Sequence, residues 1–597
     1  MEKLRLLNSG DELLDGHPAV AKWTLTLATV LAVGGTLGNG FVYDDGRQVL
    51  ENPFVQNPHL WRRIFTGPVW SFQGAAAETN FYRPLHIFSH FLVWQVAGPN
   101  PSAFHLYQLI FYIVTVLLVY RLGRLLLRSS VAAFVGALIW ALHPLHVEPV
   151  CWIAGVPDCG CGLFFLLAFL IFLRGEKAAE QQWAWHTFGA FVFFVALLFK
   201  EMAVSLPVLL ALYGCTLAEE ESRWRRILRG LPYWAATAIY IGLRITFLGH
   251  VSHADHLWNV SPRIMAAALG LLGRHTQLFF WPTGLNDFRN FDFLGSLRSS
   301  WPWVTMCVLG LLVLLRKRDA TFSFLMLWWP VTLLPCLDVR QLSYPLVAER
   351  FSYIPSMGLS LAVSYFVLQI LPRWFHRWHR VLVLAPVGTV VILFLVEDLR
   401  AVPRWRDNDT LWNYSYRVAP RTALVHVHRA LDLQYRSHDL AGAAQEYQAA
   451  IRLNREAFIN LASVTYDCWI GLGQIAAIQG RPEEGVAYFQ KAIALTPRYS
   501  AAYDVLGSVY FPRGDYARAA EYFRQAVRAN PLDLGARFFL GTCWMKLGKP
   551  VQAAEQFHAA RETDPNYRQA YVAEALALDA AGDQAGAAGV RRMLTRK

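Results

Sequence analysis

Long apolar segments separated by short polar loops fill the first two thirds of the chain, from residue 21 to residue 396. A helix needs about 20 apolar residues to cross a membrane. The pattern therefore predicts an all-α, polytopic membrane domain with about eleven transmembrane helices. The predicted spans are 21–42, 104–123, 131–150, 158–174, 183–199, 202–217, 231–248, 301–315, 321–337, 351–371 and 380–396.

Basic residues cluster in four of the loops between these segments. Short basic loops favour the cytoplasmic side of a membrane. All four clusters lie on that side only if two further apolar segments, 84–98 and 262–283, rest at the outer interface without crossing. The N-terminus is then cytoplasmic and the chain after residue 396 is periplasmic or lumenal. The clusters are Arg121, Arg124 and Arg128; Arg223, Arg225, Arg226 and Arg229; Arg316, Lys317 and Arg318; and Arg373, Arg377 and Arg380.

The last third of the chain has a different pattern, with a period of 34 residues. This spacing recurs in Gly480, Gly514, Gly548 and Gly582, and likewise in Phe489, Phe523 and Phe557. A 34-residue period with these glycines is typical of the tetratricopeptide repeat (TPR), which consists of two helices per unit. We predict a membrane domain over 1–406 and a TPR α-solenoid over 407–597. Such solenoids commonly bind peptide or protein on a concave face; a structural cap on the membrane domain is the alternative.

Composition agrees with an integral-membrane protein, since only 16% of the residues are charged and the mean hydropathy is +0.29. The net charge of +12 does not indicate nucleic-acid binding, because many of the basic residues fall in the short loops that determine topology. The eight cysteines have neither zinc-site nor redox-motif spacing.

The first candidate chemistry is the stretch Tyr43-Asp44-Asp45-Gly46-Arg47, where the first predicted span ends. Charged side chains are costly near hydrocarbon and are often functional there. One carboxylate is a candidate catalytic base. The alternative is a juxtamembrane turn, since Asp and Gly are common turn residues.

The predicted topology places further ionisable residues at the outer ends of other helices. A transporter would more often place such groups near the membrane midplane. Their accumulation at one interface favours an enzyme that acts on a lipid headgroup. These residues are His143, His146, Glu148, Asp158, Lys200, Glu201, Glu349 and Arg350.

An ordered set of short motifs resembles the transmembrane and tetratricopeptide-repeat O-mannosyltransferases (TMTC type) and their bacterial relatives, which have the GT-C glycosyltransferase fold. The resemblance implies a polyprenyl- or dolichyl-phosphate-linked sugar donor, often mannose, and a protein hydroxyl as acceptor. It also implies that an acidic motif in the first outer loop carries the base. The motifs are Phe41–Arg47, Glu51–Pro53, Tyr82–Leu85, Asn100–His105, His143–Glu148, Phe199–Glu201, Glu349–Ser356 and Trp405–Asp407, followed by the repeats.

Under this resemblance Asp44 is the predicted base and Asp45 the alternate, and Arg47 lies near the donor phosphate. Arg83 and Arg350 are further candidates for binding that phosphate, although arginines at helix ends also extend toward lipid headgroups. The predicted substrate pocket consists of His143, His146, Glu148, Asp158, Lys200, Glu201 and Glu349.

Two alternatives concern that pocket. His143, His146 and Glu148 have a spacing that can bind zinc, but the resemblance implies no zinc, so we expect a polar network at a helix end and no metal cofactor. A divalent ion at the aspartate pair stays open. Lys200 and Glu201 either bind sugar or form ion pairs with each other or with Asp158.

The predicted function is transfer of a sugar from a polyprenyl-phosphate carrier to protein, with the repeats presenting the acceptor. Three other interpretations are a membrane transporter, a TPR scaffold without catalysis, and a GT-C enzyme that modifies lipid or glycan. Expected partners are the lipid-linked donor, an acceptor protein or peptide, and membrane lipids, but no nucleic acid.

Overall fold

The computed structural model describes residues 11–76 except 13, 81–217 except 179, 223–248, 261–315 except 287 and 290, 319–338, 346–374, 380–457 and 460–595. The predicted basic cluster at 316–318 lies outside these residues. The all-α prediction is confirmed, because the described residues form helices and, beyond them, only an isolated antiparallel bridge between Arg289 and Val347.

The chain divides into two compact units. The first, the membrane unit, comprises Met1–Arg47 and Asn80–Val418. Its helices of five or more residues are α1 Pro18–Val33, α2 Pro84–Ala97, α3 Pro101–Leu126, α4 Ser130–Ala141, α5 Val147–Cys151, α6 Val156–Glu176, α7 Gln182–Phe199, α8 Leu206–Thr216, α9 Arg223–Leu248, α10 Pro262–Phe280, α11 Phe293–Arg298, α12 Trp301–Leu315, α13 Ala320–Leu337, α14 Pro355–Tyr365, α15 Arg380–Ala401 and α16 Asn408–Val418.

Among the described residues, six helical segments are long and apolar enough to cross a membrane, and a bent pair makes up to seven. The protein is a multi-pass membrane protein. Each of the eleven predicted spans corresponds to a helix or bent helix pair, but the number of crossings and their direction stay predictions. The six are Pro18–Gly38, Pro101–Leu126, Ile153–Glu176, Gln182–Phe199, Leu228–Leu248 and Ala320–Leu337; the bent pair is Ser130–Ala141 with Pro144–Cys151.

Helix α6 lies in the core of the membrane unit, because small residues on it allow close approach from two sides. A Cβ atom on Gly160 would lie 2.5 Å from the ring of Phe199 at the end of α7. A Cβ atom on Gly162 would lie 2.5 Å from the ring of Tyr353. This close packing holds the N-terminal end of α6, which carries Asp158, against the segments that precede α8 and α14.

The second unit, the repeat unit, comprises Gln48–Thr79 and Ala419–Lys597. It confirms the TPR prediction, because Gly473, Gly507 and Gly541 receive the rings of Phe489, Phe523 and Phe557 at distances that leave no room for a Cβ atom. Its helices are α17 Ala423–Tyr435, α18 Leu440–Glu456, α19 Ala462–Ile478, α20 Pro482–Leu495, α21 Ser500–Tyr510, α22 Tyr516–Ala529, α23 Leu534–Lys546, α24 Pro550–Thr563, α25 Arg568–Ala580 and α26 Gln584–Thr595.

The segment Gln48–Thr79 packs on the C-terminal ends of two repeat helices. Asn57 donates a hydrogen bond to the carbonyl of Thr563 at the end of α24, at 3.1 Å. Gly74 lies so close to the end of α22 that a Cβ atom would be 2.3 Å from the carbonyl oxygen of Ala529. Ala529 and Thr563 are 34 residues apart, so the segment contacts equivalent positions in successive repeats.

The units divide the chain at different positions from the predicted boundary at residue 406. Helix α16 belongs to the membrane unit, because Asn408 accepts a hydrogen bond from the backbone of Tyr43 at 2.8 Å and Trp412 packs on Phe288 with ring centroids 4.4 Å apart. The repeat unit therefore begins at Ala419.

Candidate functional site

The loop that carries the predicted base is held by aromatic packing. Tyr43 adopts a φ of 51°, in the left-handed region that a residue with a side chain rarely occupies. Its ring stacks on Trp152 with centroids 5.8 Å apart and meets the edges of Phe288 and Trp412. These contacts stabilise a strained backbone that turns the chain just before the two aspartates, as is frequent at functional sites.

Asp45 is fully buried and links the loop to the turn before α6. One carboxylate oxygen accepts a hydrogen bond from the backbone N–H of Val42 at 2.9 Å, and the other accepts one from Ala154 at 2.7 Å. Burial raises the pKa of Asp45, and these hydrogen bonds oppose that effect. Since both oxygens are occupied by the protein's own backbone, Asp45 positions the loop.

Asp44 is half-buried, and no hydrogen bond from the described residues reaches its carboxylate. Burial raises the pKa of Asp44 to about 6, while the positive charges of Arg47 and Arg350 lower it. A carboxylate with a pKa near neutral is both ionised at pH 7 and a better proton acceptor than an ordinary aspartate. Of the two adjacent aspartates, Asp44 therefore fits the predicted role of base better, and that role stays a prediction.

Arg350 is fixed beside Asp44 by a buried carboxylate. Glu148 forms an ion pair with the guanidinium of Arg350 and accepts a hydrogen bond from its backbone N–H at 3.1 Å. The guanidinium also lies over the rings of Trp152 and Phe351, 5.3 Å from each centroid. Trp152 therefore contacts both Tyr43 and Arg350, which places a positive charge near the candidate base.

Two more ion pairs lie in the same unit. Lys200 donates to Asp158 at 2.6 Å, and both side chains are buried. Arg83 forms a two-pronged pair with Glu201, in which Nε donates at 2.8 Å. Lys200 and Glu201, adjacent in sequence, thus pair with partners from α6 and from the residue before α2, and not with each other. Lys200 also lies over the ring of Phe351, 5.4 Å from its centroid, so that Phe351 touches the charged ends of both Lys200 and Arg350.

His143 and His146 lie in a separate buried network between helices. His143 Nε2 donates to the carbonyl of Phe279 at 2.9 Å, and its Nδ1 accepts from the backbone of Leu145 at 3.3 Å. His146 Nε2 lies 2.9 Å from the hydroxyl of Ser356. Glu148 turns away from these histidines toward Arg350. The described part of the chain contains no cluster of three or more side chains that could hold a metal ion.

Glu349 anchors the loop that follows α10. Its carboxylate accepts a hydrogen bond from the backbone of Asn286 and lies 3.6 Å from the guanidinium of Arg289. Burial raises the pKa of Glu349 to about 7, and the positive charge of Arg289 opposes the shift. Like Asp45, this carboxylate is engaged by the protein.

The structure therefore brings Asp44, Arg47, Glu148 and Arg350 together and links Arg350 through Phe351 to the Asp158–Lys200 pair. Sequence reasoning missed the aromatic residues of this arrangement, Trp152 and Phe351. Phe351 lies inside the quoted motif Glu349–Ser356 and Trp152 lies four residues after His143–Glu148, but single aromatic residues among so many give no distinguishing signal. The roles of the predicted site residues stay predictions.

Comparisons with known proteins match both parts of the chain. A family model described as dolichyl-phosphate-mannose-protein mannosyltransferase matches residues 84–250. Two tetratricopeptide-repeat models match residues 462–531 and 510–578. A solved crystal structure of MamA protein aligns with 29% of this chain and 90% of its own, at 18% identity and a TM-score of 0.25.

Curated relatives align over most of the chain. Human protein O-mannosyl-transferase TMTC1 is 25% identical over 519 residues, which are 75% of this chain and 57% of that protein. Mouse protein O-mannosyl-transferase TMTC3 is 22% identical over 532 residues, which are 82% of this chain and 52% of that protein. Tmtc2 of Drosophila melanogaster is 34% identical over 196 residues, which are 32% of this chain and 21% of that protein. The long alignments span about half the length of these relatives.

Proposed function

We propose that this chain, a relative of the transmembrane and tetratricopeptide-repeat protein O-mannosyl-transferases, transfers a sugar from a polyprenyl- or dolichyl-phosphate carrier to serine or threonine hydroxyls of proteins. Mannose is the proposed sugar, in line with the names of the relatives and of the family model that matches residues 84–250. The observation that supports the proposal most directly is Asp44, a half-buried carboxylate with a pKa of about 6 in the field of Arg47 and Arg350.

In the proposed reaction the acceptor hydroxyl oxygen attacks the anomeric carbon of the sugar. The bond between that carbon and the phosphate oxygen breaks, and the electron pair leaves with the lipid phosphate. Asp44 accepts the hydroxyl proton as the new bond forms, which is the help a weakly acidic alcohol needs. The phosphate is a good leaving group, so no general acid is required.

The negative charge that develops on the phosphate needs a preorganised positive charge. Arg350 is the strongest candidate, because Glu148 and the rings of Trp152 and Phe351 hold its guanidinium in place. Arg47 is exposed and close enough to act on the charge of Asp44. We propose that Arg47 also binds the lipid phosphate, through a side chain that is less restrained than that of Arg350.

The two other ion pairs are proposed to bind the sugar. Asp158 with Lys200 and Arg83 with Glu201 present oxygens and N–H groups to which sugar hydroxyls can hydrogen-bond. Their charges neutralise each other in pairs, so they contribute orientation without a large net field. His143 and His146 are proposed to support this region through packing, since their hydrogen bonds are made within the protein.

We assign the protein acceptor to the repeat unit, whose solenoid has the architecture that commonly binds peptide. The proposed membrane is a bacterial inner membrane or the endoplasmic reticulum membrane. In that arrangement the N-terminus is cytoplasmic, and Asp44 and the repeats lie on the periplasmic or lumenal side.

The test uses the full-length protein in nanodiscs with polyprenyl-phosphate mannose and a pool of candidate acceptor proteins. Intact-mass measurement should show a hexose added by the wild type and none by Asp44→Asn. Glu180→Gln is the matched control, because Glu180 is an exposed carboxylate of the membrane unit between α6 and α7, at the opposite end of α6 from Asp158; it should act like the wild type. A hexose added by Asp44→Asn at the wild-type rate would remove Asp44 as the base. Absence of transfer by every folded variant would favour a transporter or a scaffold.

A further inference from the structure

A cavity of about 340 Å³ is lined by residues of α10, of α11 and of the isolated bridge between Arg289 and Val347. It contains none of the residues proposed above for the sugar transfer. Its apolar lining consists of Phe291, Gly295 and Val347. Its polar lining consists of Arg274, Gln277, Arg289, Asp292, Ser296 and Ser299.

Arg289 enters this cavity with part of its guanidinium unsatisfied. One terminal nitrogen, NH2, donates to the carbonyl of Gly284 and lies 3.6 Å from Glu349. The other, NH1, is buried and has no hydrogen-bond partner in the described part of the chain. A buried charged N–H group without an acceptor is costly, and an acceptor that reaches it gains correspondingly.

Arg274 supplies a second guanidinium to the same cavity. Its NH1 donates to Gln277 one turn further along α10, at 2.6 Å, which aligns the guanidinium along the helix surface. Burial and the nearby positive charge of Arg289 lower the pKa of Arg274 to about 10, and the negative charge of Glu349 opposes the shift. Two like charges that are held together in this way repel each other until an anion is placed between them.

Two acidic residues nearby offset part of this charge, but both are also engaged by the backbone. Asp292 caps the N-terminus of α11 by accepting a hydrogen bond from the backbone of Gly295 at 2.9 Å. Glu349 is engaged by the backbone of Asn286 and approaches only NH2 of Arg289. Two arginines and one aspartate line the cavity, so the lining itself has an excess of one positive charge.

We infer that the cavity formed by Arg274, Gln277 and Arg289 binds a phosphate group. A phosphate has enough oxygens to accept from both guanidinium groups at once, and arginine binds phosphate in a two-pronged geometry. Ser296 and Ser299 line the same cavity. The ligand is either the headgroup of an anionic lipid or a soluble phosphate, since the recognised chemistry is the same.

The experiment measures binding to the full-length protein by native mass spectrometry, with two probes. The first probe is inorganic phosphate added to protein in a neutral detergent. The second is nanodiscs of phosphatidylcholine containing a small fraction of phosphatidic acid, from which bound lipid is detected after release. Variants Arg274→Gln and Arg289→Gln are compared with Arg298→Gln, whose arginine is exposed on α11 and does not line the cavity.

Each cavity variant should weaken binding by about 10- to 100-fold, the effect of losing one charge-assisted hydrogen bond. Arg298→Gln should leave binding unchanged. Binding of the lipid alone identifies a headgroup site, and binding of inorganic phosphate identifies a soluble ligand. The inference is overturned if neither probe binds the wild type, or if the Arg274→Gln variant, shown folded by its melting temperature, binds as tightly as the wild type. Because the readout is binding, it is independent of whether sugar transfer occurs.

Discussion

The pH dependence of transfer tests the assignment of Asp44. A general base acts only when it is deprotonated, and the pKa of Asp44 is raised to about 6 by burial. The deprotonated fraction is then close to nine-tenths at pH 7 and close to one-tenth at pH 5. We therefore expect kcat/KM for the acceptor to fall about tenfold between pH 7 and pH 5. An ordinary aspartate, titrating near pH 3.9, would leave it almost constant over this range.

Substitution of Arg47 tests whether its positive charge lowers the pKa of Asp44. The positive charge of Arg47 lowers the pKa of Asp44, so its removal in Arg47→Gln should raise that pKa. The acidic limb of the pH profile should then move to higher pH, whatever the variant does to the maximal rate. This separation matters because Arg47 is also proposed to contact the donor phosphate, which would change the rate without moving the limb.

The assay follows hexose addition by intact mass at acceptor concentrations well below KM. The pH runs from about 4.5 to about 8, which spans the titration of a base with a pKa of about 6. Glu180→Gln, exposed between α6 and α7, is the control and should keep the wild-type profile. A wild-type rate that stays constant down to pH 5, or a limb that moves to lower pH in Arg47→Gln, would refute the assignment of Asp44 as the base in this field.

Three further predictions concern stability and binding. In Asp45→Asn an amide N–H group replaces one acceptor oxygen and faces a backbone N–H. The free energy of unfolding, measured by denaturation of the detergent-solubilised protein, should fall by about 1–3 kcal/mol. Glu148→Gln leaves the guanidinium of Arg350 without its counter-ion, and should lower stability by roughly 3–5 kcal/mol and change donor binding measured by titration. Gly507→Ala forces a Cβ atom against Phe523, 2.7 Å from its ring, and should cost about 1–3 kcal/mol, seen as faster hydrogen exchange in the repeats.

Each of these has an outcome that contradicts it. Wild-type stability of Asp45→Asn would mean that its two backbone hydrogen bonds do not hold the loop. Unchanged stability and donor affinity of Glu148→Gln would separate Glu148 from the position of Arg350. Unaltered exchange in α21 and α22 of Gly507→Ala would show that the ring of Phe523 moves aside at no cost.

The repeats were predictable because their contacts are local. Gly507 meets Phe523 within a single repeat, so the period of the sequence is also the period of the packing. The apolar segments were predictable for a similar reason, since a membrane-spanning helix satisfies its own backbone. Helices occupy all the predicted spans, although apolarity alone leaves the number of crossings undetermined.

The site was less predictable, because its contacts join residues far apart in the chain. Lys200 pairs with Asp158, which was one of the alternatives left open, but Glu201 pairs with Arg83, a partner that the sequence did not suggest. The cavity of Arg274 and Arg289 has no sequence signal, since single arginines in an interfacial helix and in a loop are ordinary. Only the fold shows that the two guanidinium groups line one cavity.

The attachment of the segment Gln48–Thr79 to two repeats makes the segment sensitive to the curvature of the solenoid. Its two attachment points, at Ala529 and Thr563, belong to different repeats, so any change in the curvature of the solenoid alters the distance between them. The chain on either side of the segment leads directly to Arg47 and to Arg83. If the proposed acceptor bends the solenoid as it binds, and this segment transmits the change to the proposed donor site, thermodynamic reciprocity requires the donor to change the affinity of the repeats for the acceptor by the same factor.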